Sequence, residues 1–242
     1  MAFPDVRSVI VTDGSGATAT PVVNLPATVS AGDTLFVIIR CAVGGAVGWP
    51  DGTWNELFDA SDDADDDQSA AAWKLAAGTE GGTTITLSST SGKFAAVAWS
   101  IKDAADPTVT PPELSTVAIG TTGQPNATTC TPTGGAKDYL WLTFFTMGGE
   151  QTGITTYPTN YTLGQSGLAT TGTGGATTTN ARAAGAARQA NAASEDAGAW
   201  TVAGTVEDSI AYTIAFHPAP PVAFVPPPPF VVGQAITRAS LH

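Results

Sequence analysis

Charge is scarce in this chain, and positive charge scarcest of all. Of 242 residues 12% are charged, about half the usual share, with 9 Lys plus Arg against 21 Asp plus Glu and a net charge of -12. Without a basic face the protein has nothing to lay on a phosphate backbone or an anionic lipid, which argues against nucleic-acid and membrane partners. Histidine is nearly missing too. His217 follows the last apolar run and His242 is terminal, so neither is expected to face an oriented Ser or Cys. No G-x-S-x-G elbow, P-loop or zinc-type spacing occurs, and the parts for a catalytic reading are lacking. The only cysteines, Cys41 and Cys130, have no neighbours at metal-ligand spacing. Cys41 ends an apolar run and reads as a small buried hydrophobe, with pairing between the two left open. No stretch approaches the length of a transmembrane helix, and the amino terminus has neither a basic nor an apolar leader region. These features predict a soluble chain made in the cytoplasm. The sequons at Asn126 and Asn160 then read as chance in a Thr-rich sequence.

What the chain has in quantity is Thr, Ala, Gly and short β-branched or aromatic runs. The run Thr34 to Arg40, preceded by Gly32-Asp33, is too short for a typical helix and reads as a buried strand. A matching run from Tyr139 to Phe145, preceded by Lys137-Asp138, follows about a hundred residues later. Each is followed by an aromatic-Pro turn (Trp49-Pro50 with Trp54, Tyr157-Pro158 with Tyr161). An Ala-rich segment, a short Thr strand and an alternating closing strand complete each copy. The shared order predicts a duplication, with halves at about 32–104 and 136–216 and a connector at 107–135.

In the closing strands, Val97, Trp99 and Ile101 share one face, as do Ile210, Tyr212, Ile214 and Phe216. Two halves with one apolar face each bury it best against each other. The expected fold is therefore all-β, a double-sheet jelly-roll-like sandwich built from two repeated halves over residues 1–217. Residues 181–190 have helix-forming composition, but their place in the repeat predicts a strand, as for Ser69 to Leu75. Further expectations are a strand at 6–12 ended by an Asp13-Gly14-Ser15-Gly16 turn, a strand at 19–25 bracketed by Pro21 and Pro26, and one strand near 127–131.

From Pro218 the composition changes to proline runs, which favour extended polyproline II and form no core of their own. Residues 218–242 are read as an extended C-terminal arm. Its Phe224, Phe230, Val231, Val232, Ile236 and Leu241 suit docking onto a partner subunit, with simple disorder as the alternative.

Two further clusters could carry function. The acidic stretch Asp51 to Asp67 holds Asp63, Asp65 and Asp67 in alternation, a weak candidate for Ca²⁺, although it lacks the glycine turn and later bidentate Glu of a known calcium loop. The bland reading is a solvated, self-repelling loop. Trp49, Trp54, Tyr157 and Tyr161 could stack on sugar rings, but their equivalent places in the two copies suit structural turn caps.

The combination Ala31-Gly32-Asp33-Thr34-Leu35-Phe36-Val37, Trp49-Pro50-Asp51-Gly52-Thr53-Trp54, Ala72-Trp73-Lys74 and Ala98-Trp99-Ser100-Ile101, with the linker Lys102 to Pro107, resembles a group of β-sandwich structural proteins of tailed phages and prophages. The likeness covers about residues 30 to 217. Ala136-Lys137-Asp138 departs from it where Ala-Gly-Asp would stand, as does the acidic insertion. The resemblance implies a non-enzymatic virion protein without a cofactor, made in the host cytoplasm, of the head-decoration or minor tail and fibre type. It would be a homo-oligomer attached to other virion proteins. A carbohydrate- or receptor-binding module of a tail fibre, meeting a host surface glycan, is the competing expectation.

Overall fold

The computed structural model describes residues 2–61, 67–120, 123–149, 151–170, 180–204 and 208–221. Every regular element in them is a strand: β1 (Asp5–Thr18), β2 (Val22–Asn24), β3 (Thr34–Cys41), β4 (Asn55–Ser61), β5 (Gln68–Leu75), β6 (Thr84–Thr86), β7 (Gly92–Lys102), β8 (Glu113–Leu114), β9 (Ala118–Gly120), β10 (Lys137–Gly148), β11 (Gln151–Thr156), β12 (Thr162–Thr170), β13 (Ala181–Ala192), β14 (Thr201–Gly204) and β15 (Ser209–Phe216). The two Ala-rich segments are strands despite their helical propensity. Each lies beside a long apolar strand, β5 against β3 and β13 against β10, where a small side chain lets neighbouring bulk fill the space.

The two large sheets repeat one plan. The first has the order β1-β7-β3-β5-β4, and the second β8-β15-β10-β13-β12, with β9 also on the outer edge of β15. In both, the closing strand lies beside the lead strand, which lies beside the Ala-rich strand. A small sheet accompanies each. In the first half β2 pairs with β6, and beyond it Ser88 bridges Gly48. In the second half β11 pairs with β14, whose other edge receives the 123–130 segment through Trp200 N–H to Pro125 O and Val202 N–H to Gly123 O. Numbered along either half, the large sheet joins segments one, eight, three, six and five, and the small sheet joins two, seven and four. This is jelly-roll connectivity with the fifth strand moved beside the sixth. Each half thus carries a jelly-roll connection of its own, and the halves pack back to back through their large sheets.

Three hydrophobic cores follow from this stacking. Even positions of β3 (Phe36, Ile38) and odd positions of β7 (Val97, Trp99, Ile101) meet Leu140, Leu142 and Phe144 of β10 and Ile210, Tyr212, Ile214 and Phe216 of β15 in the central core. Their opposite faces enter separate cores under the small sheets, one around Leu35, Val37, Leu87 and Trp54 and the other around Trp141, Phe145, Trp200 and Tyr161. Both faces of each large sheet are therefore apolar, where the sequence pattern predicted one. That is why β3 and β15 are buried at every position instead of alternating with polar residues.

An aromatic cluster spans the two halves. Phe36 lies 5.6 Å from Trp99, 5.5 Å from Phe144 and 5.7 Å from Phe216, ring centre to ring centre, and Phe58 stacks on Tyr212 at 4.4 Å. Offset and edge-on contacts of this kind add about 0.5–1.5 kcal/mol per pair beyond burial alone. Gly185 makes room for the cluster: a Cβ there would stand 2.5 Å from Trp99 Cζ2, so the sheets could not close over a larger residue.

Three expectations change. The strand expected to end before Asp13 runs on to Thr18, because Gly14 stays in the ladder opposite Phe94, whose ring occupies the space a Cβ would need. The strand expected near 127–131 is replaced by isolated bridges, Asn126 to Ala199 and Cys130 to Glu195, between Pro125 and Pro132, neither of which can donate to a ladder. The repeat match is also shifted by one residue. Thr34 and Leu140 hold equivalent places, opposite Ile101 and Phe216 at the ends of their ladders, so the counterpart of Asp33 is Tyr139 and not Asp138. A shift of one exchanges the faces of a strand: Asp33 faces the core under its small sheet, whereas Asp138 shares the central-core face of β10 and accepts a bond from Asn191 Nδ2 at 2.6 Å.

Candidate functional site

The aromatic-Pro turns cap the small-sheet cores. Trp54 N–H bonds Asp51 O and Tyr161 N–H bonds Pro158 O, which makes equivalent tight turns. Trp54 and Tyr161 are buried, while Trp49 and Tyr157 are half-buried beside them. Trp49 stacks on Trp54 at 5.5 Å with its indole N–H on Glu56 Oε2 at 3.1 Å, and Tyr157 leans on Trp200 at 5.2 Å. One face of each half-buried ring is therefore already taken by a core residue. Tyr161 also donates to Glu195 Oε1 at 3.1 Å, and Glu195 pairs with Arg188, whose guanidinium lies 5.7 Å from the Tyr161 ring. Burial pushes the Tyr161 phenol up, and Glu195 adds to the shift.

Of the acidic candidates, Asp63 and Asp65 lie outside the described residues. Asp67 is placed, and it faces a cation of the chain itself: its Oδ2 lies 2.6 Å from Arg40 Nη2, with both side chains 1% exposed. Arg40 also donates to Ser69 Oγ at 3.1 Å, and Ser69 shares a hydrogen bond of 2.7 Å with Thr146 of the other half. Nearby, Asp59 accepts from Val47 N–H and from Gln68 Nε2. Among the described residues no group of three or more His, Cys, Asp or Glu is arranged to hold a metal ion.

Asp33, which the sequence marks only as a turn residue, is a buried junction. Its carboxylate takes a two-pronged contact from Arg7 (Nε 2.6 Å, Nη2 3.0 Å) on the edge strand β1. Ser30 N–H and Ser100 Oγ also donate to it, at 2.9 and 2.8 Å. Burial acts to raise its pKa, but the Arg7, Ser30 and Ser100 bonds outweigh burial and hold it below the ordinary carboxylate range. A depressed carboxylate contributes stability in full above its ordinary range and loses it as pH falls through the folded-state value. Asp33→Asn is therefore expected to cost roughly 1.5–3 kcal/mol at pH 7, the range for hydrogen bonds to charged groups. The gap from the parent should narrow as pH falls below the ordinary carboxylate range, and urea unfolding at pH 7 and at a series of acid pH values measures it.

At the end of β15, His217 Nε2 lies 2.8 Å from Glu113 Oε1, and Glu113 accepts Thr133 N–H and its hydroxyl at 2.9 Å. For Glu113, burial is again outweighed, here by Thr133 and His217, so it stays ionised. Burial lowers the His217 pKa, against the pull of Glu113. A neutral ring beside an ionised carboxylate donates from Nε2, which leaves Nδ1 as an acceptor without a hydrogen-bond partner. Just past β15 the chain is fixed by the Ala104 to Pro218 bridge and by Ala219 N–H to Asp103 O. The arm residues Phe224, Phe230, Val231, Val232, Ile236 and Leu241 lie outside the described residues.

Cys41 and Cys130 are free and sit in different cores. Burial pushes their thiols up to about 11 and about 12, so both stay protonated at neutral pH. Among the described residues no helix is long and apolar enough to cross a membrane. Neither a family model, nor a curated protein, nor a solved structure matches the chain.

Proposed function

We propose that this protein is a non-enzymatic structural component of a tailed-phage virion, displayed on the head or tail and held to neighbouring subunits partly through its C-terminal arm. The reading rests on the resemblance of the 30–217 region to phage sandwich proteins. The observation that supports it best is the anchored root of the arm: Pro218 and Ala219 are tied to the Asp103–Ala104 linker, so the apolar residues beyond Pro221 start from a fixed point on the body. The body itself suits passive display. Its ion pairs, Arg40 with Asp67 in the interior and the half-buried Arg7 with Asp33 and Arg188 with Glu195, tie the body together.

Deletion of residues 219–242 should lower the copies of the protein in purified particles at least tenfold while leaving the far-UV circular dichroism and melting temperature of the body unchanged. Normal incorporation of the shortened chain would remove the arm from the proposal. Glycan-array binding that disappears in Trp49→Ala or Tyr157→Ala would instead move the protein to the receptor-binding class.

A further inference from the structure

Among the described residues four large apolar side chains are exposed, and three of them, Val109, Val117 and Ile119, lie on the connector between the halves. Ile119 stands opposite Ile210 in the β9–β15 pair, so it is turned to the central-core side, yet it is 54% exposed where Ile210 is 1%. Phe58 of β4, the outer strand of the first sheet, stacks on Tyr212 of β15, and β9 lies one strand further out. The inner face of β9 therefore overhangs the first sheet. Its edge is also bare of the usual protection by charge. Where β1 carries Asp5, Arg7 and Asp13, and β4 carries Glu56, Asp59 and a bulge, the segment Val117-Ala118-Ile119-Gly120 has neither charge nor proline. An apolar, uncharged edge is a template for one more strand.

We propose that β9 receives the C-terminal arm of a second copy of this chain, which adds a strand through Phe230-Val231-Val232. This contact rests on the arm being the attachment element proposed above, and it names the surface that takes it. Phe230 and Val232 are two residues apart, as Val117 and Ile119 are, so in extended chain each pair shows one face. Charge selects the arm over a direct meeting of two edges: a net charge of -12 makes two bodies repel, whereas residues 222–242 hold one Arg and no acid. Direction selects a second copy over the arm's own body. Ile119 lies beside the start of β15, opposite Ile210, while the root of the arm, Pro218 bridged to Ala104, follows the end of β15. Residues 219–221 make no turn, and the prolines at 220 and 221 hold the extended path. Continued as polyproline II through the proline run at 226–229, that path sets Phe230 about 28 Å past Pro221 and further from its own β9. Contacts of this head-to-tail kind join copies into a ring or a filament.

The test is sedimentation equilibrium of the full chain at neutral pH over a series of concentrations. The parent is expected to self-associate. Ile119→Lys, which blocks the edge, and Phe230→Asp with Val232→Asp, which blocks the arm, should each raise the dissociation constant at least tenfold with an unchanged melting temperature. Mixed one to one, the two variants should associate with near-parent affinity and stop at a dimer, because one working arm and one working edge remain between them. A parent that stays monomeric overturns the proposal, as does an Ile119→Lys variant that associates like the parent. Loss of association in the edge variant alone would mean that two edges meet directly, and a mixture that stays monomeric would rule out the arm on the edge; either result overturns it. If Ile119→Lys fails to fold, Val117→Lys blocks the same edge, and the arm variant leaves the body untouched. Particle incorporation is a separate readout: a chain that self-associates through β9 yet never enters particles overturns the virion reading alone.

Discussion

Trp99→Ala is expected to lower the stability of the whole protein by about 3–5 kcal/mol, the range for truncating a buried Trp. The indole is fully buried, stacked on Phe36 and seated over Gly185 of the opposite half. Its removal opens a hole between the two large sheets that neither can fill alone, since each is held in place by a second core behind it. Urea unfolding should show a lower midpoint with an unchanged slope, because the surface exposed on unfolding is nearly the same. A cost below about 1 kcal/mol would mean that the sheets close over the gap and that the central core is more plastic than its packing implies.

The second large effect concerns Arg40 and Asp67. Asp67→Ala leaves a guanidinium 1% exposed without its carboxylate, and breaking a buried pair in this way typically costs about 3–5 kcal/mol. Replacing both partners, Arg40→Met with Asp67→Leu, should cost less than either single change, because no uncompensated charge remains. A double variant as unstable as the sum of the singles would show that the two side chains act independently. Asp67 has thus moved from a weak calcium candidate to an internal counter-ion.

Much of the architecture was legible in the sequence because periodicity survives composition bias. The closing strands placed Val97, Trp99 and Ile101 on one face and Ile210, Tyr212, Ile214 and Phe216 on another, and those faces meet. The Ala-rich segments were legible only through their place in the repeat, since their local propensity points to helix. The register of the second lead strand was not. Asp138 matches Asp33 in type, yet a match of letters cannot distinguish the two faces of a strand when both faces are apolar. The strands β4 and β12 went unseen because edge strands beside a loop carry a weak alternation; β4 has exposed Asn55 and Glu56 before Leu57 and Phe58.

The buried ion pairs had a signal that was available. Arg40 stands inside the apolar run from Leu35 to Cys41, and a charge there requires a partner. Asp67, at the mouth of the adjacent Ala-rich strand, is the acid placed to meet it. The pairing of Glu113 with His217 carried no such signal, because 104 residues separate them and only the chain path brings the connector to the end of β15.

Hydrogen exchange on Trp99→Ala tests most directly whether the two jelly-roll halves form one cooperative body. Equal loss of protection is expected at the slowest amides of β3 and β5 and of β10 and β13, corresponding to roughly a hundredfold or more faster exchange in both halves for a cost of about 3 kcal/mol or above. Loss confined to the strands between Asp5 and Lys102, with β10 and β13 as protected as in the parent, would contradict the account and make the halves two independent domains.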